Sequence, residues 1–270
     1  MNMSSLLRRP HPPDDTGCVL EVTPQNAGWT HVGLKILHLG DGRRFSGGAS
    51  DRETCLVILS GVAEVMVDGR SLGLVGGREH VFEDAAPGAV YVPARVRFEV
   101  AARGAVEIAS CSAPGRPERA ARIVAPAEMS REVRGRGTNT RFVRNILSES
   151  QPADSLLVVE VITPAGNWSS YPPHKHDTGV DGVETALEET YYHRVKPAQG
   201  FAFQRVYTDD RSLDETLCVH DGDLVLVPRG YHPVAASHGY DLYYLNVMAG
   251  PQRKWLFRND PAHAWILQGS

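Results

Sequence analysis

Apolar positions along this chain fall in short runs punctuated by glycine, proline and aspartate, and few of them recur at the spacing of an amphipathic helix. The stretch "TCLVILSGVAEVMVDG" reads as two β-branched runs broken at Ser60-Gly61 and closed by the turn pair Asp68-Gly69, which predicts a hairpin. "GAVYVPARVRFEVAA" and "GAVEIASCSAP" continue the rhythm of short strands, and "PAEMSREV" allows at most a short helix. A second strand-rich half begins near Ser155 with "SLLVVEVITPAG". It runs on through "ETYYHRV", "GFAFQRVYT", "ETLCVHDGDLVLVPRG" and "YDLYYLNVMAG". Between the halves, "REVRGRGTNTRFVRNIL" has the composition of a connector, although its end, "TRFVRNIL", also reads as a strand of the second half.

The halves echo one another. "APGAVYVPARVRFEV" and "HDGDLVLVPRGYHPV" both run from a glycine through a strand to a proline and a turn, Gly88 to Pro93 in one and Gly222 to Pro228 in the other. With many strands and few helices, the pattern predicts an all-β protein built as two tandem β-barrels or sandwiches, divided as residues 1–125 and 126–270.

Composition narrows the function classes. A hydrophobic share of 42% against 22% charged residues is that of a globular chain and excludes a disordered one. The net charge of -4 carries no basic stripe, so no nucleic-acid partner is expected. No apolar run approaches the roughly 20 residues of a membrane-spanning helix, so no membrane partner is expected. "MNMSSLLRRPHPPDDTG" lacks an apolar core of signal-peptide length and reads as an unprocessed, flexible start. Cys18, Cys55, Cys111 and Cys218 are scattered without CxxC spacing, which fits small core residues and a cytoplasmic location.

The candidate chemistry lies in "YPPHKHDTGVDGVETALEETYYHR". His174 and His176 are one residue apart and share a face of an extended chain. Glu189 heads the aromatic strand that follows, and alternation turns Glu188 the other way. In "GDLVLVPRGYH" the turn after Pro228 swings His232 back over the barrel mouth. Three imidazoles and a carboxylate suit a divalent metal ion, zinc first, with manganese, iron and nickel as alternatives, and leave positions open for water or substrate. Residues 177–188, between His176 and Glu189, must then loop out at the barrel mouth. His193 shares the parity of Glu189 and is expected behind the ligands or in the core. The other histidines are read as surface or structural.

The HxH pair, the glutamate heading an aromatic strand and the G-x5-P-x-G-x-H pattern resemble the two metal-binding motifs of the cupin superfamily. "PPHKHD", "LEETYYHR", "GFAFQRVYTDDRSLDET", "VLVPRGYHPV", "GYDLYYLNVMAGPQRKW" and the closing "NDPAHAWI" are together similar to the 5-deoxy-glucuronate isomerase family of bacterial myo-inositol catabolism. That resemblance implies two jelly-roll-like cupin barrels and a small-molecule uronate substrate. It implies an aldose–ketose isomerisation giving 5-dehydro-2-deoxy-D-gluconate through a metal-assisted enediol, in a homo-oligomer. The isomerase acting on 4-deoxy-5-keto-uronate is the sister alternative; a sugar-acid-binding bicupin and a metal-dependent dioxygenase are the competing classes. Within the family-like blocks, Arg205 is expected to clamp the substrate carboxylate, with Glu215 and Tyr244 as candidates for proton transfer. The first half has Arg95 and Arg97 where a ligand histidine would stand, so its barrel is expected to be metal-free.

Overall fold

The computed structural model describes residues 4–267, and the chain folds as an all-β protein. Its residues form two compact units. One comprises Pro10–Ser130 and Asn145–Val159; the other comprises the described residues up to Arg9, Arg131–Arg144 and the described residues from Glu160 on. Compared with a simple division at residue 125, residues 145–159 return to the first unit and the N-terminal segment joins the second.

In the first unit the long strands Arg52–Val67 and Arg97–Pro114 pair along most of their length. They organise a sheet in the order Cys18–Val22, Gly33–Leu39, Arg97–Pro114, Arg52–Val67, Gly88–Val92, Arg122–Val124. Strand Arg44–Gly48 adds to Arg97–Pro114, and Arg70–Gly76 adds to Arg52–Val67. The expected break at Ser60-Gly61 is a shift of register instead. Ile58 faces Ile108, Ser60 faces Glu107 and Val62 faces Arg103, so one strand runs through. Such bulges bend a strand without ending it. The chain reverses only at Asp68-Gly69, where Val67 faces Arg70. Leu37, Leu56, Ile58, Val65, Val90, Val100 and Ile108 close the core, and Cys18, Cys55 and Cys111 are buried.

A buried acid ties the returning segment into this unit. Glu53 is fully buried, and its carboxylate accepts from the backbone N–H of Asp154 (2.8 Å), Ser155 (2.6 Å) and Leu156 (2.7 Å) and from the Tyr91 hydroxyl (2.6 Å). Four donors offset the cost of taking a carboxylate out of water.

The second unit is built on a sheet ordered Leu7–Arg8, Leu224–Val227, Glu188–Lys196, Asp241–Ala249, Leu157–Thr163, Arg141–Leu147, Ser130–Arg134. A second sheet runs Trp168–Ser169, Val234–Ala236, Ala202–Tyr207, Asp214–Val219. A short ladder joins His174–Lys175 to Arg258–Asn259. "TRFVRNIL" is therefore a strand, and "PAEMSREV" makes only the 3₁₀ turn Pro126–Glu128 before Ser130–Arg134. The start of the chain departs from the flexible segment expected. Residues 1–3 lie outside the described residues, but Leu7 and Arg8 pair with Val225 and Leu224, and Leu6 is buried. An open sheet edge offers unpaired backbone groups, and this segment covers it. No helix among the described residues is long and apolar enough to cross a membrane.

Candidate metal centre

His174 and His176 sit on the short ladder and immediately after it, and both are buried. Lys175 turns the other way, where its ammonium meets Asp177 at 2.7 Å and lies 3.7 Å from Glu184. Alternation thus separates the two imidazoles from the intervening cation, as the HxH pattern requires. Glu189 stands on Glu188–Lys196 between Val227 and Met248 of the flanking strands, with only 1% of its side chain exposed, whereas Glu188 is half-buried.

His232 is delivered by a turn that depends on glycine. Gly230 has φ +87°, and a Cβ there would lie 2.3 Å from the backbone oxygen of Tyr207. That close approach lets Tyr231 and Tyr207 exchange backbone hydrogen bonds of 2.8 and 2.9 Å. The Gly230 N–H also donates to Asp177 at 2.7 Å. His232 Nδ1 lies 2.8 Å from the Gly230 carbonyl, which assigns the proton to Nδ1 and leaves the Nε2 lone pair free.

The four side chains converge. The coordinating nitrogens of His174, His176 and His232 lie within 4.8 Å of one another. Glu189 Oε2 is 2.9 Å from His176 Nε2 and 3.2 Å from His232 Nε2. Burial holds the His174 imidazole well below its usual range and, outweighing the pull of Glu189, brings His232 down to about 4, so both are neutral near pH 7. Burial pushes His176 the same way, but the hydrogen bond and charge of Glu189 prevail and raise it.

This donor set fits a divalent cation. Donors held at about 2.0–2.2 Å from one ion stand roughly 3–3.5 Å apart, near the two distances from Glu189 Oε2. His232 Nε2 is buried with no hydrogen-bond partner among the described residues, as expected of a nitrogen reserved for a ligand bond. The proton shared by His176 and Glu189 uses the same lone pairs a cation would take, so binding would release it.

An aromatic wall surrounds the cluster. Phe257 lies 4.6 Å from His174 and Tyr191 lies 5.7 Å from His232, between ring centres. The Tyr191 hydroxyl is 2.9 Å from Ser170 Oγ. The Tyr244 ring lies 4.8 Å from that of Tyr191, tilted by 45°, and Tyr244 faces His193 across the strands. His193 is fully buried, with Nε2 2.9 Å from Gln204 Oε1, and it stands behind the cluster.

Of the residues expected to act on substrate, the structure brings Tyr244 toward the cluster but neither Arg205 nor Glu215. On Ala202–Tyr207, Gln204 points inward to His193 and Arg205 takes the opposite face. There its guanidinium makes two 2.7 Å bonds to Asp214 and lies over the Tyr207 ring at 4.3 Å. Glu215 lies on the edge strand Asp214–Val219, where the Ser4 hydroxyl donates to it. Neither departure was visible in sequence, because family-like blocks and strand parity do not say which neighbour satisfies a charge. Residues 177–187 form a loop, and Glu188 already belongs to the strand that carries Glu189. Residues 178–183 are exposed, Val180 bridges Glu184, and the Leu187 N–H returns to the His176 carbonyl at 2.8 Å. No motif in the sequence marks Ser170, Phe257 or Arg141. Arg141 lies in the segment whose Arg/Gly/Asn content suggests a connector, and its only signal was the strand reading of "TRFVRNIL".

Two all-β units, one carrying three histidines and a glutamate at a common point, define a protein of the double-barrelled cupin class. Known structures agree: an oxalate decarboxylase of Lactobacillus farciminis matches with a TM-score of 0.66 over 96% of this chain and 89% of that one, at 13% identity, which shows the fold alone. The chain belongs to the KduI/IolB family, whose profile matches residues 6–266. A 5-deoxy-glucuronate isomerase of Geobacillus kaustophilus is 53% identical over 266 residues, covering 98% of this chain and 96% of that protein. The enzyme of the same name from Bacillus subtilis strain 168 is 46% identical over 98% of this chain and all of its own length. The crystal structure of an IolB-like protein from Salmonella typhimurium LT2 superposes with a TM-score of 0.94 at 50% identity, over 97% of this chain and 99% of that one.

Proposed function

We propose that this protein is an aldose–ketose isomerase that converts 5-deoxy-D-glucuronate to 5-dehydro-2-deoxy-D-gluconate. The observation that carries the reading is the buried convergence of His174, His176, His232 and Glu189 in a chain similar over nearly its whole length to proteins named 5-deoxy-glucuronate isomerase.

The four side chains would hold one divalent ion, with zinc expected ahead of manganese, iron and nickel for a set rich in imidazole. Such an ion would supply Lewis acidity toward a substrate carbonyl and its neighbouring hydroxyl, easing the movement of a proton between adjacent carbons. The chain supplies the rest. Tyr191 and Tyr244, both buried beside the cluster, limit water at the reacting carbons, and the half-exposed Phe257 covers His174 from the solvent side. Burial also raises the Tyr244 hydroxyl above its usual range, so it stays protonated at neutral pH and serves as a donor to a substrate oxygen rather than as a base.

The test is to incubate the metal-analysed protein with 5-deoxy-D-glucuronate and, separately, with 4-deoxy-5-keto-uronate, and to follow isomerisation. Turnover of the first with little of the second supports the assignment. Preference for the second replaces it with the sister activity, and turnover of neither overturns both.

A further inference from the structure

A uronate approaching this centre meets the carboxylate of Glu189, so the site needs a cation aimed at the substrate, and Arg205 is engaged by Asp214. The strand Arg141–Leu147 supplies another. Val143 is buried and Phe142 exposed, which puts Arg141 on the inner face with Val143. Its Nη1 donates to the backbone oxygen and to Oδ1 of Asn139, each at 3.1 Å. Asn139 Nδ2 in turn donates to the Tyr171 carbonyl at 3.1 Å, on the segment that leads into His174. Gly135 closes the loop over this pair. Its φ is +72°, and a Cβ there would lie 2.0 Å from Asn139 O and 2.8 Å from Arg141 Nη1.

Three features make this arginine a ligand group rather than a structural ion. Asn139 ties it to the Tyr171 carbonyl, three residues ahead of His174, and its charge is felt by His174 and by the tyrosines Tyr191 and Tyr244 beside the cluster. Among the described residues it has no carboxylate partner, whereas Arg144 pairs with Glu160, Arg194 with Asp221 and Arg205 with Asp214. Nε and Nη2 have no protein acceptor among the described residues, so one edge of the planar fork remains for a bidentate anion. A guanidinium partly withdrawn from water without a counter-ion is unfavourable, and burial pulls its pKa down accordingly. An arriving carboxylate removes that cost. Arg134 also acts on His174, but Glu132 at 2.9 Å and the Trp255 ring at 5.1 Å already engage it.

We propose that Arg141 binds the carboxylate of the sugar-acid substrate and thereby sets the preference of the site for uronates over neutral sugars. This rests on the uronate reading of the function, and the test separates the two. Titration calorimetry of the full, metal-loaded chain with D-glucuronate and with D-glucose is expected to show the acid bound at least about tenfold more tightly. Arg141→Gln is expected to abolish that preference with metal content and melting temperature unchanged, whereas Arg205→Gln leaves it intact. If the glutamine variant does not fold, Arg141→Lys answers the same question. It keeps the charge but not the fork, so glucuronate binding should weaken several-fold with glucose binding unaffected. A preference that survives Arg141→Gln, an Arg141→Lys variant with wild-type affinities, or a wild-type protein with no preference overturns the proposal. Turnover of 5-deoxy-D-glucuronate reads the assignment independently. Arginine-dependent binding without turnover overturns the isomerase reading alone; turnover with an unchanged KM in Arg141→Gln overturns the carboxylate role alone.

Discussion

Glu189 Oε2 lies 2.9 Å from His176 Nε2, with both side chains almost wholly buried. Their partners in sequence are set by different rules, one by a two-residue alternation on a short ladder and the other by its place at the head of a long strand. A buried acid and imidazole at this distance share a proton or a cation, and the lone pair of His232 Nε2, 3.2 Å from the same oxygen, favours the cation.

Glu189→Gln keeps the shape of the side chain and removes its charge. Metal affinity should fall at least about 100-fold, since even groups behind the ligands cost 10–100-fold when lost. Metal analysis after dialysis against a chelator, together with turnover, checks this; a fully metallated glutamine variant would remove Glu189 from the ligand set. His174→Ala is expected to lose both metal and activity.

Gly230→Ala should cost more than about 1 kcal/mol, because the turn needs φ +87° and the new Cβ meets a backbone oxygen rather than a movable side chain. As His232 hangs from this turn, metal retention should fall along with the denaturant midpoint. A variant equal to wild type in both would mean that the turn tolerates a different conformation.

Arg205→Ala should leave KM for the uronate within about twofold, since its partner is Asp214 on the neighbouring strand. The stability lost should stay below about 1 kcal/mol, as for other solvent-exposed pairs. A large rise in KM would return Arg205 to the substrate site.

Burial brings His193 down to about 4 from an ordinary 6.5. The neutral ring is therefore favoured in the folded chain, and unfolding below pH 6.5 takes up a proton. The stability it contributes is present above about 6.5 and is lost as pH falls toward 4, at up to about 1.4 kcal/mol per pH unit. His193→Gln keeps a donor toward Gln204 but cannot titrate. Its denaturation midpoint against pH should be flatter by one proton over that window, and an unchanged slope would place the imidazole in contact with water.

Glu53→Ala should destabilise the first unit by roughly 3 kcal/mol or more, because three backbone N–H groups and the Tyr91 hydroxyl lose their acceptor together. Equilibrium denaturation measures it. A loss below about 1 kcal/mol would show that the turn at 154–156 finds other acceptors.

Much of the fold was legible because its signals are local. Turn pairs such as Asp68-Gly69 and the alternation that buries Glu189 beside half-exposed Glu188 depend only on neighbours in sequence. The continuity of Arg52–Val67 through Ser60-Gly61 was not legible, since a bulge and a strand end look alike until the partner Glu107 is in place.

The sequence by itself determined the strand-rich architecture, the spacing that presents His174 and His176 on one face, and the G-x5-P-x-G-x-H turn that carries His232. These follow from backbone periodicity and turn chemistry within short segments. Only the tertiary structure decided which charges are spent on one another. It pairs Arg205 with Asp214 across adjacent strands and caps Glu215 with Ser4 from the other end of the chain. It also leaves Arg141, among the described residues, without a carboxylate partner beside the cluster. Electrostatic pairing is settled by distance in space and by burial, and neither is encoded in the spacing of a motif.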